Sequence, residues 1–193
     1  MAVLYFNELN IDENNPKWKD RDRLVLSKGH CSPALYASLA ERGYFDKKDL
    51  KTFRKLGSKL QGHPDMNKVP GVDMTSGSLG QGLSVANGMA ISAKMDNKDY
   101  RVYCILGDGE IEEGQVWEAA MTSNKYKLDN LCIIVDNNNL QIDGTIEEVM
   151  SSYPIDKKFE SFGFNVVNID GNNIGEILNA FKQAKEIKGK PTC

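Results

Sequence analysis

The sequence lacks the features that build disulfide frameworks, structural zinc sites and membrane spans. Four cysteines and two histidines occur among 193 residues, and no cysteine pair has the Cys-x-x-Cys spacing of a zinc site. No apolar run approaches the ~18–20 residues that cross a bilayer, and no basic segment followed by an apolar one opens the chain. These absences argue against a disulfide-stapled secreted domain and a membrane protein. They predict a cytoplasmic chain with free thiols.

The sequence also lacks a large excess of positive or negative side chains. The chain has 24 Lys and Arg against 27 Asp and Glu, a net charge of −3, so no basic stripe is available for nucleic acid. Its length is sufficient for one well-buried domain. We therefore expect a single domain that has neither a nucleic acid nor a membrane as its partner.

Two short apolar runs each end in side chains that carry oxygen. The runs are Arg101–Leu106 and Leu131–Val135, and the polar segments after them are Gly107-Asp108-Gly109 and Asp136-Asn137-Asn138-Asn139. A helical stretch from about Gln115 to Lys127 separates the runs, which together predict a βαβ unit. Open α/β sheets bind ligands at the carboxyl ends of their strands. Asp108 and Asn138, 30 positions apart (138 − 108), are therefore expected to converge.

A carboxylate and an amide oxygen are hard ligands that suit Mg²⁺ or Ca²⁺ better than Zn²⁺. Two protein ligands leave most of an octahedral shell open, and Mg²⁺ usually completes it with water and substrate phosphates. Gly107 and Gly109 flank the acid, so backbone N–H groups can approach an anion closely. The pattern predicts a metal-bridged phosphate or diphosphate. The alternative is that both polar segments are simply tight turns, which their compositions also favour.

Three further motifs accompany these two segments. They are Leu26-Ser27-Lys28-Gly29-His30, Gln61-Gly62-His63-Pro64 and Thr75-Ser76-Gly77-Ser78-Leu79-Gly80-Gln81-Gly82. Together the motifs resemble the thiamine diphosphate-binding part of transketolase, in order and spacing, across nearly the whole chain. Ser78 stands where that family typically has proline, a form that fits transketolases split over two polypeptides.

The resemblance implies an α/β fold, a doubly wound and mainly parallel sheet with helices on both faces. It implies that residues 1–193 form a single incomplete diphosphate-binding domain. The metal ligands it implies are the side chains of Asp108 and Asn138 and the backbone carbonyl of Leu140, holding Mg²⁺ with Ca²⁺ as a substitute. The implied thiamine diphosphate contacts are these three residues together with His30, Gly77, Leu79, Gly107, Gly109 and Ile142.

The resemblance also implies three catalytic residues. His30 resembles the residue beside the diphosphate and the reaction centre, and His63 resembles the residue that hydrogen-bonds the hydroxyls of the donor ketose. Glu113 matches a carboxylate that communicates between paired active sites. For Glu110 and Glu112, the favourable placement of acid near a helix N-terminus is a sufficient explanation.

The reaction implied is the transfer of a two-carbon ketol unit from a ketose phosphate to an aldose phosphate, as in the pentose phosphate pathway. In this family the residue that activates the cofactor lies on a separate pyrimidine-binding domain, and nothing in this sequence resembles that domain. We therefore expect the isolated chain to be inactive and to require a C-terminal subunit carrying that domain, within a homo- or hetero-oligomer. The alternatives are an inactive thiamine diphosphate-binding or interaction module, a nucleotide-binding protein, 1-deoxyxylulose-phosphate synthase or dihydroxyacetone synthase.

Patterning elsewhere predicts the remaining elements. They are a strand at Arg23–Leu26, a helix from Ser32 to Gly43, a helix after Asp46, a small-residue helix at Leu79–Met95, a strand at Phe164–Ile169 and a helix capped by Asn173. A further strand is expected to begin after Lys190.

Overall fold

A parallel sheet forms the centre of the protein, for which a computed structural model describes residues 1–193. Its strands are β1 (Arg23–Leu26), β2 (Val102–Gly107) and β3 (Leu131–Asp136), arranged in that order. Beyond β3, Thr192 forms parallel bridges to both Cys132 and Asn165. Two short extended segments therefore continue the row of strands, and Thr192 is the one residue after Lys190 that forms a bridge.

Six α-helices surround the sheet. They are α1 (Ser32–Arg42), α2 (Gly82–Met95), α3 (Gly114–Lys125), α4 (Ile146–Val149), α5 (Ile155–Ser161) and α6 (Ile174–Glu186). Pro33 occupies the first turn of α1 and Gly43, in the left-handed conformation, ends it, as the sequence predicts. None of the helices combines the length and apolarity that spanning a membrane requires.

Alternate strand residues enter two separate cores. Val25, Cys104 and Ile133 pack with residues of α2, α3 and α5 on one face of the sheet. Leu24 and Tyr103 pack with residues of α1 and α6 on the other face. Because successive strand side chains point to opposite faces, strands buried on both sides read as continuous apolar runs. The prediction of a doubly wound sheet with helices on both faces is confirmed.

Two predicted helices differ from the observed ones. The small-residue helix begins at Gly82 rather than Leu79, because Gly80 adopts a left-handed φ of 79° that a helix cannot accommodate. After Asp46, which caps the backbone of Lys48, the chain forms a 3₁₀ helix, Lys47–Thr52, rather than an α-helix. Both differences lie at turns whose backbone conformation the apolar pattern does not specify.

The predicted strand Phe164–Ile169 is wrong as a regular strand. Asn165 is its only residue that forms a bridge, although the N–H of Val167 also donates to the carbonyl of Cys193 at 2.8 Å. These contacts join the segment to residues 191–193.

Candidate functional site

The loops after β2 and β3 meet, and Asp108 lies between them. The side chain is almost fully buried, with 2% of the residue exposed. Its Oδ2 accepts a hydrogen bond from the N–H of Asn139 at 2.7 Å, and its Oδ1 accepts one from the N–H of Gly109 at 2.9 Å. A carboxylate offers about four acceptor positions. Asp108 therefore retains lone pairs for a cation while it contacts the neighbour of Asn138.

Asn138, Leu140 and Ile142 lie on a small hairpin that follows β3. The hairpin consists of β4 (Leu140–Gln141) and β5 (Gly144–Thr145), and the side chain of Asn138 accepts a hydrogen bond from the N–H of Leu140 at 2.9 Å. Ile142, at the turn, has a φ of 51° and is 91% exposed. A β-branched residue in that conformation is a genuine outlier, of a kind that clusters at functional sites.

The hairpin also contacts the segment after β2 through Gln141. A Cβ atom added to Gly109 would stand 3.0 Å from Cγ of Gln141, so the glutamine side chain lies directly over this glycine. The side-chain N–H of Gln141 donates to Oε2 of Glu112 at 2.9 Å. Glycine at position 109 thus permits a contact that any side chain would obstruct.

Glu110 connects three of the sequence motifs. It is buried, with 3% of its surface exposed, and one carboxylate oxygen accepts hydrogen bonds from the hydroxyl of Ser27 and the N–H of Gly80. The other oxygen accepts one from the N–H of Gly107 at 3.0 Å. Placement near a helix N-terminus does not account for this arrangement. The prediction for Glu110 is corrected, because its carboxylate holds three loops together.

The two histidines flank the glycine-rich loop. A Cβ atom on Gly29, beside His30, would come within 2.7 Å of Oγ of Ser76, and one on Gly77 would lie 3.4 Å from Cγ of His63. Both histidines are exposed. The structure therefore brings the segments of His30, His63 and Gly77 to one region of the surface.

Helix α1 holds the segment of His63 in place. The hydroxyl of Ser32 donates a hydrogen bond to the carbonyl of Gly62 at 2.8 Å. The hydroxyl of Tyr36 donates to the carbonyls of Gln61, at 2.9 Å, and His63, at 3.3 Å. Burial raises the pKa of Tyr36 to about 12, so its phenol remains a hydrogen-bond donor to a higher pH than an exposed tyrosine does.

Glu113 lies against the other end of the glycine-rich loop. A Cβ atom on Gly80 would stand only 2.6 Å from Cβ of Glu113, so glycine is required there for contact as well as for its positive φ. Glu113 itself is exposed at the N-terminus of α3, and Leu79 is 36% exposed. Glu113 and His63 thus each lie against a glycine of the same loop, Gly80 and Gly77.

Lys28 is a residue of the site to which sequence reasoning assigned no role. Its side chain is 8% exposed and forms an ion pair with Asp136 at the end of β3. A Cβ atom on Gly107 would lie 3.3 Å from Cδ of Lys28. An ammonium group therefore lies next to the glycine turn, where an anion is expected. The sequence feature that could have identified Lys28 as a site residue is its position within the Leu26–His30 motif.

The donor set suits a hard cation coordinated in part by main-chain and amide oxygens. Nowhere does the structure bring three or more His, Cys, Asp or Glu side chains together in a metal-binding group. The oxygens beside the hairpin include the buried carboxylate of Asp108, the amide of Asn138 and backbone carbonyls, while the Glu112 carboxylate accepts a hydrogen bond from Gln141. Such ligands fit Mg²⁺ or Ca²⁺ with a phosphate completing the shell. Gly107 and Gly109 add no side chain to the turn, and their N–H groups donate to the carboxylates of Glu110 and Asp108.

Comparison with known proteins gives a match along the whole sequence. A family model described as the thiamine diphosphate binding domain of transketolase matches residues 1–193. A 6-deoxy-6-sulfo-D-fructose transketolase subunit of Clostridium sp. (strain MSTE9) is 50% identical over 192 residues, which cover 100% of this chain and 70% of the relative. One subunit of the apulose-4-phosphate transketolase of Phocaeicola vulgatus is 44% identical over 191 residues, which cover 99% of this chain and 68% of that relative.

Solved structures agree with this match. The transketolase of Leishmania mexicana superposes with a TM-score of 0.93 at 35% identity, over 99% of this chain. The aligned part is 30% of that transketolase. The chain therefore spans less than a third of the length of this solved enzyme.

Proposed function

Because the chain belongs to the transketolase family, as a thiamine diphosphate-binding domain, we propose that it is the cofactor-binding N-terminal part or subunit of a transketolase. In this role it binds thiamine diphosphate and Mg²⁺ for ketol transfer between sugar phosphates. The observation that carries the proposal is the contact of the buried Asp108 carboxylate with the hairpin that presents Asn138 and Leu140.

The residues around that contact have distinct roles in the proposal. The side chains of Asp108 and Asn138 and the carbonyl of Leu140 hold the cation, and Gly107 and Gly109 keep the turn beside the diphosphate free of side chains. The exposed side chain of Ile142 packs against the cofactor rings. The contact between Asp108 and Asn139 at the carboxyl ends of β2 and β3 supports the assignment.

The remaining site residues bind and orient substrate and cofactor. When bound, thiamine diphosphate supplies the carbanion chemistry, and the protein supplies binding, orientation and electrostatics. Gly77 and Leu79 lie at the pyrimidine ring and His30 lies beside the diphosphate. His63 donates hydrogen bonds to the hydroxyls of the ketose, and Glu113 connects the site with a second one. The supporting observation is the packing of the histidine segments around Gly77.

A partner subunit is part of the proposal. The two relatives are named as transketolase subunits, and this chain covers only 30% of a solved transketolase. The partner supplies the pyrimidine-binding domain, and ketol transfer requires both chains. The names of the relatives specify a sulfonated ketose and a phosphorylated one, which favours a donor ketose with a terminal anionic group.

Calorimetry with thiamine diphosphate tests the cofactor proposal. We expect wild-type protein to bind it in the presence of Mg²⁺, and we expect Asp108→Ala to weaken this binding at least a hundredfold, because the variant loses the one carboxylate ligand. Asp99→Ala is the matched control, since Asp99 is exposed near the opposite ends of the strands. Unchanged affinity in Asp108→Ala would remove the metal assignment.

Two further measurements separate this proposal from its alternatives. A thermal-shift panel compares thiamine diphosphate with ATP and GTP, each with and without Mg²⁺, because a ligand that binds the native state raises its apparent stability. Stabilisation by the nucleotides only would favour a nucleotide-binding protein. Ketol transfer is then assayed with the chain alone and after adding a pyrimidine-domain subunit. Transfer by the chain alone would contradict the need for a partner.

A further inference from the structure

We propose that the hydrogen bond between Gln141 and Glu112 is a latch that positions the ligand-bearing hairpin over the Gly107–Gly109 turn before a cation binds. The hairpin is the segment from Asn138 to Thr145. This inference rests on the proposed function, because it concerns the same metal site. It identifies Gln141 and Glu112 as positioning residues, neither of which contacts the cation or the cofactor in the proposal.

The hairpin requires such an attachment because it projects from the domain. Leu140 and Ile142 are 65% and 91% exposed, and the two strands contain only two residues each. Its C-terminal end is anchored by Ile146, which is fully buried. The other end follows β3 closely, and Oδ1 of Asn137 accepts a hydrogen bond from the hydroxyl of Tyr153 at 2.9 Å, so the exposed tip between the two ends is the part that needs a further contact.

Two hydrogen bonds connect the hairpin to the segment that follows β2. The first joins the N–H of Asn139 to Oδ2 of Asp108 at 2.7 Å. That carboxylate is also the proposed cation ligand, so the strength of the first bond changes when the cation binds. The second, from the Gln141 side chain to Oε2 of Glu112 at 2.9 Å, involves no proposed ligand. It can hold the hairpin both with and without the cation.

The surroundings of the second bond strengthen it. The Gln141 side chain lies over Gly109, and the remaining oxygens of both groups, Oε1 of Glu112 and Oε1 of Gln141, are shielded from solvent without a hydrogen-bond partner. A hydrogen bond to a charged acceptor that is shielded from water is stronger than one at the surface. Breaking this bond would leave the bond from Asn139 to Asp108 as the one hydrogen bond between the hairpin and the segment after β2.

Loss of the latch reduces the fraction of molecules whose ligands are in position, and apparent affinity falls by the same factor. We expect about a tenfold loss, in keeping with the usual contribution of a hydrogen bond to a charged group. Hydrogen exchange of the amides of residues 139–145 in the ligand-free protein should accelerate by a similar factor. This second readout does not depend on cofactor binding.

Four variants test the latch. Gln141→Ala removes the donor, and Gln141→Glu places two carboxylates face to face, so both should accelerate exchange and weaken thiamine diphosphate–Mg²⁺ binding. The double variant Glu112→Gln/Gln141→Glu exchanges donor and acceptor and should restore both quantities to within about threefold of wild type. Asp143→Ala is the control, because this exposed hairpin residue makes no side-chain hydrogen bond, and it should change neither quantity.

Three results would overturn the latch. The first is unchanged hydrogen exchange of the hairpin amides in both single variants, and the second is exchange in the double variant as fast as in Gln141→Glu. The third is faster exchange in the single variants without loss of affinity for thiamine diphosphate. If wild-type protein does not bind thiamine diphosphate while exchange follows the expected pattern, the proposed function fails and the attachment of the hairpin stands. If wild-type protein binds and exchange does not respond, only the latch fails.

Discussion

Replacing Glu110 with alanine should destabilise the protein by about 3 kcal/mol. The carboxylate accepts hydrogen bonds from two buried backbone N–H groups, those of Gly80 and Gly107, at 3.0 Å each, and from the Ser27 hydroxyl. Each buried donor left without a partner costs about 1–3 kcal/mol, which gives about 2–6 kcal/mol for the two amides. Relief of the cost of burying a carboxylate offsets part of that sum.

Glu110→Gln separates the hydrogen bonds from side-chain volume. The amide keeps the size of the glutamate but has only one acceptor oxygen, while the donors approach from both sides of the group. One backbone N–H must then face an NH₂ group, so we expect a loss of about 2 kcal/mol. Glu118→Ala is the control, since Glu118 is exposed on α3 and substitution there should change stability by less than about 0.5 kcal/mol.

Urea unfolding followed by tryptophan fluorescence measures these differences. Trp117 packs against Phe159 and Phe162, so its emission reports on the core. Against a typical total stability of about 5–15 kcal/mol, a loss of 3 kcal/mol moves the midpoint clearly. A shift equivalent to less than about 1 kcal/mol in Glu110→Ala, at an unchanged slope, would refute the view that this carboxylate ties the three loops together.

Two further predictions concern the segment of His63. His63→Ala should weaken use of the donor ketose at least tenfold in the assembled enzyme, while calorimetry shows nearly unchanged affinity for the cofactor; equal losses of both would contradict the assigned role. Burial raises the pKa of Tyr36 from 10.0 to about 12, so its contribution to stability is complete below pH 10 and is lost as the pH rises towards 12. We therefore expect the free energy of unfolding, measured with urea at pH 9, 10 and 11, to fall less with rising pH in Tyr36→Phe than in the wild type. An equal fall in both proteins would count against this.

The sequence predicted the parts of the fold that depend on local pattern. Strands β2 and β3 read as apolar runs because both faces of the sheet are covered, and the polar motifs that follow them mark the loops at their ends. The segment Phe164–Ile169 is also rich in apolar residues, yet only Asn165 forms a bridge, and composition does not reveal which residues pair. Sequence reasoning for these elements therefore succeeds where the residue and its neighbours determine the structure.

The contacts that organise the site were beyond the reach of local pattern. Glu110 receives hydrogen bonds from Ser27 and Gly80, which lie 83 and 30 positions away in the chain. Glu112 and Gln141 are 29 positions apart. Such pairings depend on how loops meet after folding, and a glutamate next to a helix looks the same whether it is solvated or buried. The motifs located the site, but the structure was needed to show what holds it together.

The left-handed backbone at Ile142 places stability and function in opposition at one residue. Glycine would adopt this conformation without the strain of about 1–3 kcal/mol that such a residue carries, so a search for heat-resistant variants would select it. The same exchange would remove the apolar side chain proposed to meet the cofactor rings. Engineering for robustness should therefore leave this tip unchanged and direct its substitutions to positions distant from the ligand loops.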